Sequence, residues 1–257
     1  MITQKIDQAR GLPGKDYSPE EVKRLKKQNK TNQGSLVKSF VYGGLDGTVT
    51  TFAVVAGVAG AELSTAVVLI LGVANLIADG ISMAFGDYLG TRAENDYIDT
   101  KRTGELWKAR NAAEQEKKDM IELYIEKGIS ESDSKTVVGI ISQYEKSWVD
   151  IMMVEKLGLI ESSESPIKNA LATFVSFVLF GSIPVLIYAI AKFIPFVATH
   201  TFFTACILTG VTLFILGALK VFFTKQSWYR AGTEMLILGG LASASAYVVG
   251  VLLGRLG

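Results

Sequence analysis

Residues 39–60 read SFVYGGLDGTVTTFAVVAGVAG and contain no lysine, arginine or glutamate. About 20 such residues are enough for a helix to cross the hydrocarbon core of a bilayer. One charged residue, Asp46, lies inside the stretch, with glycines at 43, 44 and 47 around it. A charge at this depth is costly, and such residues usually face a protein interior or a polar pathway. The stretch therefore predicts a membrane helix in which Asp46 has a function.

Four further stretches have the length and composition of membrane helices. The mean hydropathy of +0.32, with 49% hydrophobic and 20% charged residues, is typical neither of a soluble enzyme nor of a purely membrane-embedded bundle. The charges are concentrated, since 16 of the 25 acidic residues lie between 91 and 165. We therefore expect an all-α polytopic membrane protein with a polar insertion. The predicted spans are roughly 38–60, 66–90, 168–191, 201–223 and 231–254.

The polar insertion predicts a cytosolic three-helix module that continues from the second span. Its first part consists of helix formers up to a stop at Gly128, and its second part starts with serine and aspartate residues typical of N-caps. We expect four regions. They are an N-terminal tail (1–37), spans one and two (38–90), the module (91–166) and spans three to five (167–257).

The distribution of basic residues predicts the orientation. Of 26 lysines and arginines, 9 lie in the segment ending at Lys38 and 12 lie in 91–168, whereas the 61–65 loop has none and the 192–200 loop has one. Basic connections face the cytosol. We therefore expect the N-terminus and the module in the cytosol, the C-terminus on the far side, and no secretory signal. The basic cluster at 23–30 is a candidate for contact with anionic lipid.

Some site classes are excluded by counts alone. The single cysteine, Cys206, excludes an intrachain disulfide and a multi-thiolate zinc site, and the single histidine, His200, excludes a multi-histidine metal site within one chain. A net charge of +1 gives no sign of nucleic-acid binding. We expect no bound cofactor, and we expect metal ions, protons and the lipid bilayer as partners.

Three pairs of glycines have the G-x-x-x-G spacing that lets membrane helices approach closely. They are 43/47, 86/90 and 250/254. We expect tight packing at the first two pairs, which have acidic neighbours. For the third pair, the high glycine content of membrane helices is a sufficient explanation.

Span two carries a polar stripe. Asn75, Asp79, Met83 and Asp87 follow one another at intervals of four, which places them on one helical face. Asp79 lies well inside the span, at a depth comparable to that of Asp46. Carboxylates bind hard cations, and a thioether adds preference for a softer transition metal. The stripe therefore predicts a pathway for loosely held Fe²⁺ or Mn²⁺, in which a carboxylate could exchange a proton for the metal.

The segments YGGLDGTVTTFAVVAGVAGA, NLIADGISMAFGDYLGTRAENDY and DIMMVEKLGL resemble the vacuolar iron transporter family over nearly the whole chain after about residue 36. The resemblance implies a five-span homodimer with the metal path between subunits. It implies export of cytosolic Fe²⁺, in some members Mn²⁺, into an acidic compartment against protons. The membrane would be that of a vacuole or similar organelle in a eukaryote, or the cell membrane in a bacterium. The transport residues of the family fall on Asp46 and Met83.

The resemblance also implies metal binding by the cytosolic module. Lys108 and Lys156 stand where the family usually has glutamate, and an ammonium group repels a metal ion. Glu155, beside Lys156, is a candidate substitute. The positions that match the metal-binding pattern are Glu105, Glu116, Asp119, Met152 and Met153.

Three other functions fit part of the sequence. Asp87 in FGDY has the Gly-Asp pair of intramembrane aspartyl hydrolases, but it lies near the cytosolic end of its span. A di-iron oxidase normally needs Glu-x-x-His pairs, and the module has no histidine. A metal-responsive sensor or scaffold would tolerate loss of the Asp46 charge, whereas a transporter would not. We therefore expect a transporter and not an enzyme.

Overall fold

The computed structural model describes residues 33–160, 164–222 and 227–256, and these form helices and connecting turns with no strand among them. The predicted basic cluster at 23–30 lies outside the described residues. The helices are α1 (Gln33–Gly60), α2 (Thr65–Asn111), α3 (Ala113–Glu126), α4 (Glu131–Ile141), α5 (Glu145–Glu155), α6 (Pro166–Ala191), α7 (Pro195–Thr199), α8 (Thr201–Leu219), a 3₁₀ turn (Lys220–Phe222) and α9 (Trp228–Gly254).

Five of these helices, α1, α2, α6, α8 and α9, are long and apolar enough to cross a membrane. The prediction of an all-α protein with five candidate spans is confirmed. The second span differs from its predicted end, because α2 continues without a break far beyond residue 90. The single cysteine, Cys206, is partly buried against the core of the spans, and His200 is exposed at the end of the short helix α7.

Helix α1 lies at the centre of the membrane bundle. In its most apolar segment 61% is buried, compared with 17% to 39% in the other four spans. Its glycines allow this position. A Cβ atom on Gly43 would lie 2.5 Å from the Thr173 carbonyl oxygen, and one on Gly47 would lie 2.5 Å from the Phe177 carbonyl oxygen. The 43/47 pair therefore packs directly on the α6 backbone, as expected.

The other two glycine pairs reverse the expectation. Gly250 and Gly254 of α9 pack against the backbone of Gly57 and Ala61, so this pair makes a close helix contact. Around Gly86 and Gly90, by contrast, the described residues leave the space within 4 Å of a Cβ atom open. Sequence spacing alone could not distinguish these pairs, because it does not show which helix faces each one.

The polar insertion also differs from the predicted three-helix module. Its first segment is the C-terminal part of α2, and three shorter helices, α3 to α5, follow it. The helix is interrupted at Ala112, whose backbone angles (φ −133°, ψ 34°) are not helical. A second break lies between α4 and α5, where the side chains of Ser142 and Gln143 both donate to the Gly139 carbonyl oxygen. Such local hydrogen bonds compete with helix continuation.

The predicted boundaries at Gly128 and Ser130 are correct. Gly128 has φ +91°, and the N–H groups of Gly128 and Ile129 donate to the carbonyl oxygens of Ile125 and Tyr124. This pattern of paired bonds ends a helix where glycine adopts the left-handed conformation. Ser130 then caps α4 by accepting from the Asp133 N–H at 3.2 Å. The insertion has its own apolar core, formed by Ile98, Ala109, Met120, Val138, Trp148, Val149, Met152 and Met153.

Candidate functional site

The predicted polar stripe lies on a continuous stretch of α2, so its four residues share one helical face. Each of the four is partly buried. The side-chain nitrogen of Asn75 is buried and has no hydrogen-bond partner among the described residues. Met83 packs against the apolar core between the spans. These four residues therefore form a partly buried polar face beside the apolar core.

Asp46, the predicted acid of the first span, lies on α1. It is partly buried, and its carbonyl oxygen accepts a hydrogen bond from the Thr50 hydroxyl at 2.9 Å. Asp79 of α2 acts electrostatically on Asp46. The structure therefore places the two deepest acids that the sequence singled out on α1 and α2, each partly buried.

A polar cavity of about 600 Å³ lies between α1, α2 and α6. Met83 and Asp87 from the predicted stripe line it, whereas Asp46, Asn75 and Asp79 do not. Gly86 and Gly90 also line it, and their lack of side chains helps to keep it open. The remaining lining residues are Ser35, Lys38, Ser39, Tyr42, Gly43, Ser82, Thr91, Glu94, Glu164, Asn169 and Thr173.

Most polar residues of this cavity were not predicted from the sequence. Glu94 lines it from α2, and Thr173 of α6 donates a hydrogen bond to the Asp87 carboxylate. Asn169 is 4% exposed and donates to Ser35 at 2.7 Å and to Glu164 at 3.2 Å. The spacing of four between Asn169 and Thr173 was a signal for a polar face on α6, of the same kind that identified the stripe on α2.

The predicted acidic ligands of the polar insertion, the predicted module, are paired with lysines. Glu105 is only 2% exposed, and one of its oxygens accepts from Lys108 at 2.7 Å. Its other oxygen is buried without a partner among the described residues. Glu116, 4% exposed, accepts from Lys156 at 2.8 Å, and the same ammonium group donates to Asp119 at 2.9 Å. The two lysines therefore contact three of the four predicted acidic ligands.

These contacts change the acid–base properties of the cluster. Burial lowers the pKa of Lys156, but hydrogen bonds to Glu116 and Asp119 outweigh it and leave the pKa above its ordinary value. The hydrogen bond from Lys156, with a second one from Gln115, holds the pKa of Asp119 below its ordinary value. Both shifts favour the charged forms, so the ammonium–carboxylate contacts persist at neutral pH.

The remaining predicted ligands of the module have other partners. Met152 and Met153 are 2% and 3% exposed and pack in the apolar core of the insertion with Trp148. Glu155 pairs with Lys127. Among the described residues, no three His, Cys, Asp or Glu side chains come together as a group that could hold a metal ion. The methionine pair therefore forms part of the apolar core of the insertion.

Comparison with known proteins gives one consistent result. The model of the VIT family matches residues 37–251. A vacuolar iron transporter from Toxoplasma gondii is 43% identical over 239 residues, which cover 88% of this chain and 78% of that protein. One from Plasmodium berghei is 36% identical over 84% of this chain and 82% of its own length. Vacuolar iron transporter 1 from Arabidopsis thaliana is 31% identical over 83% of this chain and 84% of its own length.

Proposed function

Because this chain belongs to the VIT family, we propose that it is an integral membrane transporter that carries iron from the cytosol into a vacuole. The observation that carries the proposal is the placement of the polar residues. Met83 and Asp87 line one cavity, and Asp46 and Asp79 lie on α1 and α2, each partly buried. We propose that these side chains supply carboxylate and thioether ligands along one route between the spans.

The ligand set supports Fe²⁺ as the transported ion. Carboxylates alone would suit Mg²⁺ or Ca²⁺, and the Met83 thioether adds preference for a transition metal. Mn²⁺, which also accepts oxygen ligands, is a second proposed cargo. Asp46 and Met83 bind the ion in transit, Asn75 and Asp79 line the same route, and Asp87 binds it at the cytosolic mouth.

We propose proton antiport as the coupling. A carboxylate can hold either a proton or a metal ion, because a nearby cation favours its ionised form. Arrival of a cation at Asp46 therefore releases the proton that this carboxylate holds. Protons from an acidic lumen then displace the metal, so that one site carries both ions in opposite directions.

The test is Fe²⁺ flux into proteoliposomes with an acidic interior, with internal pH recorded at the same time. Wild-type protein should take up metal while protons leave, and Asp46→Asn should reduce both fluxes to background. Asp96→Asn is a control for the loss of one carboxylate, because Asp96 lies on α2 outside the proposed route, in an exposed pair with Arg92. Normal flux in Asp46→Asn would contradict the pathway. Absence of flux in folded wild-type protein would favour the sensor or scaffold function.

The assembly state is a separate proposal. The resemblance implies a homodimer, and the molecular mass of the protein in lipid nanodiscs tests it directly. A mass of one chain of 27.8 kDa per particle would contradict it. We propose no bound cofactor and no catalytic reaction for this protein.

A further inference from the structure

The cytosolic module has a charge arrangement that does not fit a metal site. A metal-binding cluster presents several carboxylates to one point, with no positive group among them. Here Glu105, Glu116 and Asp119 contact two ammonium groups at 2.7 to 2.9 Å. Three carboxylates and two ammonium groups leave a net charge of −1. A divalent ion would be repelled by both lysines and would have to displace them.

Lys156 occupies the place that a shared cation would take. Glu116 and Asp119 are one turn apart on α3, and the Lys156 ammonium group at the end of α5 lies 2.8 Å and 2.9 Å from their oxygens. The side chain of Glu116 is 5% exposed and that of Lys156 is 28% exposed, so water does little to screen this contact. Lys156 therefore provides, through a covalent tether, the positive charge that would otherwise come from a bound ion.

Lys108 plays the same part for the other buried acid. It reaches back one turn on α2 to Glu105, whose side chain is 3% exposed. A buried carboxylate without a positive partner is costly. Met152 and Met153, the predicted thioether ligands, are packed in the apolar core next to Trp148 and Val149. Apart from the second oxygen of Glu105, which has no partner among the described residues, the predicted ligands thus have structural roles that need no metal.

We propose that Lys108 and Lys156 replace metal ions in this module, so that it assembles and stays closed whether or not the cytosol supplies metal. In this chain the module does not store or sense the cargo. The proposal concerns the module alone and is independent of the transport route through Asp46 and Met83.

The experiment measures thermal unfolding of the full-length protein in detergent, with and without Mn²⁺ as a redox-stable probe. All variants carry Asp46→Asn, Asp79→Asn and Asp87→Asn, which remove the carboxylates that the proposed membrane route offers to the ion. The parent should show no shift in Tm with Mn²⁺ and no heat of binding in calorimetry. Lys108→Glu with Lys156→Glu should unfold at lower temperature without metal and gain several degrees with it, because a ligand that binds only the folded state stabilises it. Lys135→Glu, at an exposed pair with Glu131, is the control and should stay insensitive to Mn²⁺.

Two results would overturn the proposal. One is a rise in Tm of the parent with Mn²⁺ that Glu116→Gln removes, which would show a metal site despite the lysines. This measurement needs no lysine variant and remains decisive if the double substitution does not fold. The other is a folded double variant that gains nothing from Mn²⁺, which would show that the lysines are not what excludes metal. Neither readout depends on flux, so failure here leaves the transport proposal untouched.

Discussion

At the scale of single residues, Met83 has two roles that must be separated. Its side chain packs against the apolar core of the spans, and it also lines the polar cavity beside Asp87. A methionine in a core is ordinarily a flexible filler. Only the position beside the carboxylate stripe gives the sulfur atom a chemical role.

Met83→Leu separates these roles, because leucine keeps the volume and removes the sulfur. Such swaps usually cost less than about 1.5 kcal/mol of stability. We expect nearly unchanged Tm but at least several-fold weaker Fe²⁺ transport, seen as a higher KM in proteoliposomes. Met120→Leu, at a methionine 3% exposed in the core of the module, should change neither. Equal KM values for Met83→Leu and wild type would remove the thioether from the pathway.

Gly86 is the second residue with a clear expectation. It lines the cavity, and no described atom lies within 4 Å of a Cβ built on it. Gly86→Leu should therefore fill the cavity without disturbing helix packing and reduce flux by more than half, at unchanged Tm. Gly240→Leu, at an equally open position on α9, is the matched control. Normal flux through Gly86→Leu would show that the ion does not pass through this cavity.

The stripe on α2 could be predicted from sequence because helical spacing fixes which residues share a face. Its partners on other helices could not. Asn169 contacts Ser35, and Thr173 contacts Asp87, across 134 and 86 residues of chain. Such pairs depend on how α1, α2 and α6 pack, and periodicity within one helix does not contain that information.

At the scale of helices, close backbone contact decides which glycines matter. Gly47 of α1 and Gly181 of α6 face each other, and a Cβ on Gly181 would lie 2.7 Å from the Gly47 carbonyl oxygen. The sequence contained the 43/47 spacing but did not show that α6 is the partner. It also gave no means of preferring 250/254 over 86/90, since only the assembled bundle shows which face is covered.

Gly47→Ala tests this contact. The new methyl group would lie 2.5 Å from the Phe177 carbonyl oxygen and 2.9 Å from its Cα atom, and the backbone cannot yield as a side chain would. We expect a loss of about 1–3 kcal/mol, the usual cost of overpacking, measured as a lower Tm in detergent. Gly240→Ala should change Tm by less than the error of the measurement. Equal stability of the two variants would show that α1 and α6 are not closely packed.

The end of α2 and the start of α5 are joined by two exposed hydrogen bonds that Arg110 donates to Glu145, at 2.7 and 2.8 Å. This contact holds the pKa of Glu145 below its ordinary value. Its contribution to stability is therefore present above the ordinary pKa of a glutamate and is lost as pH falls through the lowered value.

Glu145→Gln should accordingly lower Tm slightly at neutral pH and have no effect in strong acid, where the wild-type carboxylate is protonated as well. High salt should shrink the difference at neutral pH, because both side chains are exposed. Thermal unfolding of wild type and variant across this pH range is the measurement. A Tm difference between wild type and variant that grows as the pH falls would contradict the expected direction.

At the scale of the whole molecule, the five-span architecture follows from hydropathy, because a bilayer demands long uninterrupted apolar helices. The internal divisions of the polar insertion were less predictable. Its breaks at Ala112 and around Ser142 depend on local hydrogen bonds in otherwise helix-favouring sequence. The pairing of Lys156 with Glu116 was also beyond the sequence, which showed the residue types but not their contact.

The proposed orientation can be tested by labelling single cysteines in sealed vacuolar vesicles, in a chain with Cys206→Ala. A cysteine at Ser147, exposed on α5, should react with an impermeant maleimide on intact vesicles. A cysteine at Ser64, exposed before α2, should react only after permeabilisation. Equal labelling of both on intact vesicles would place the module and the 61–65 loop on the same side and contradict the basic-residue pattern.

The unbroken length of α2 has a mechanical consequence. Its 47 residues span about 70 Å, more than twice the thickness of the hydrocarbon core, so one rod carries both Met83 and Glu105. Any tilt or rotation of the second span therefore moves the start of the module by the same angle. Because the helix is continuous, the direction in which the module leaves it is fixed relative to the direction that the cavity faces. One residue inserted into the exposed part of the rod would turn everything beyond it by about 100° and carry the α3–α5 helices round to a different side of the protein.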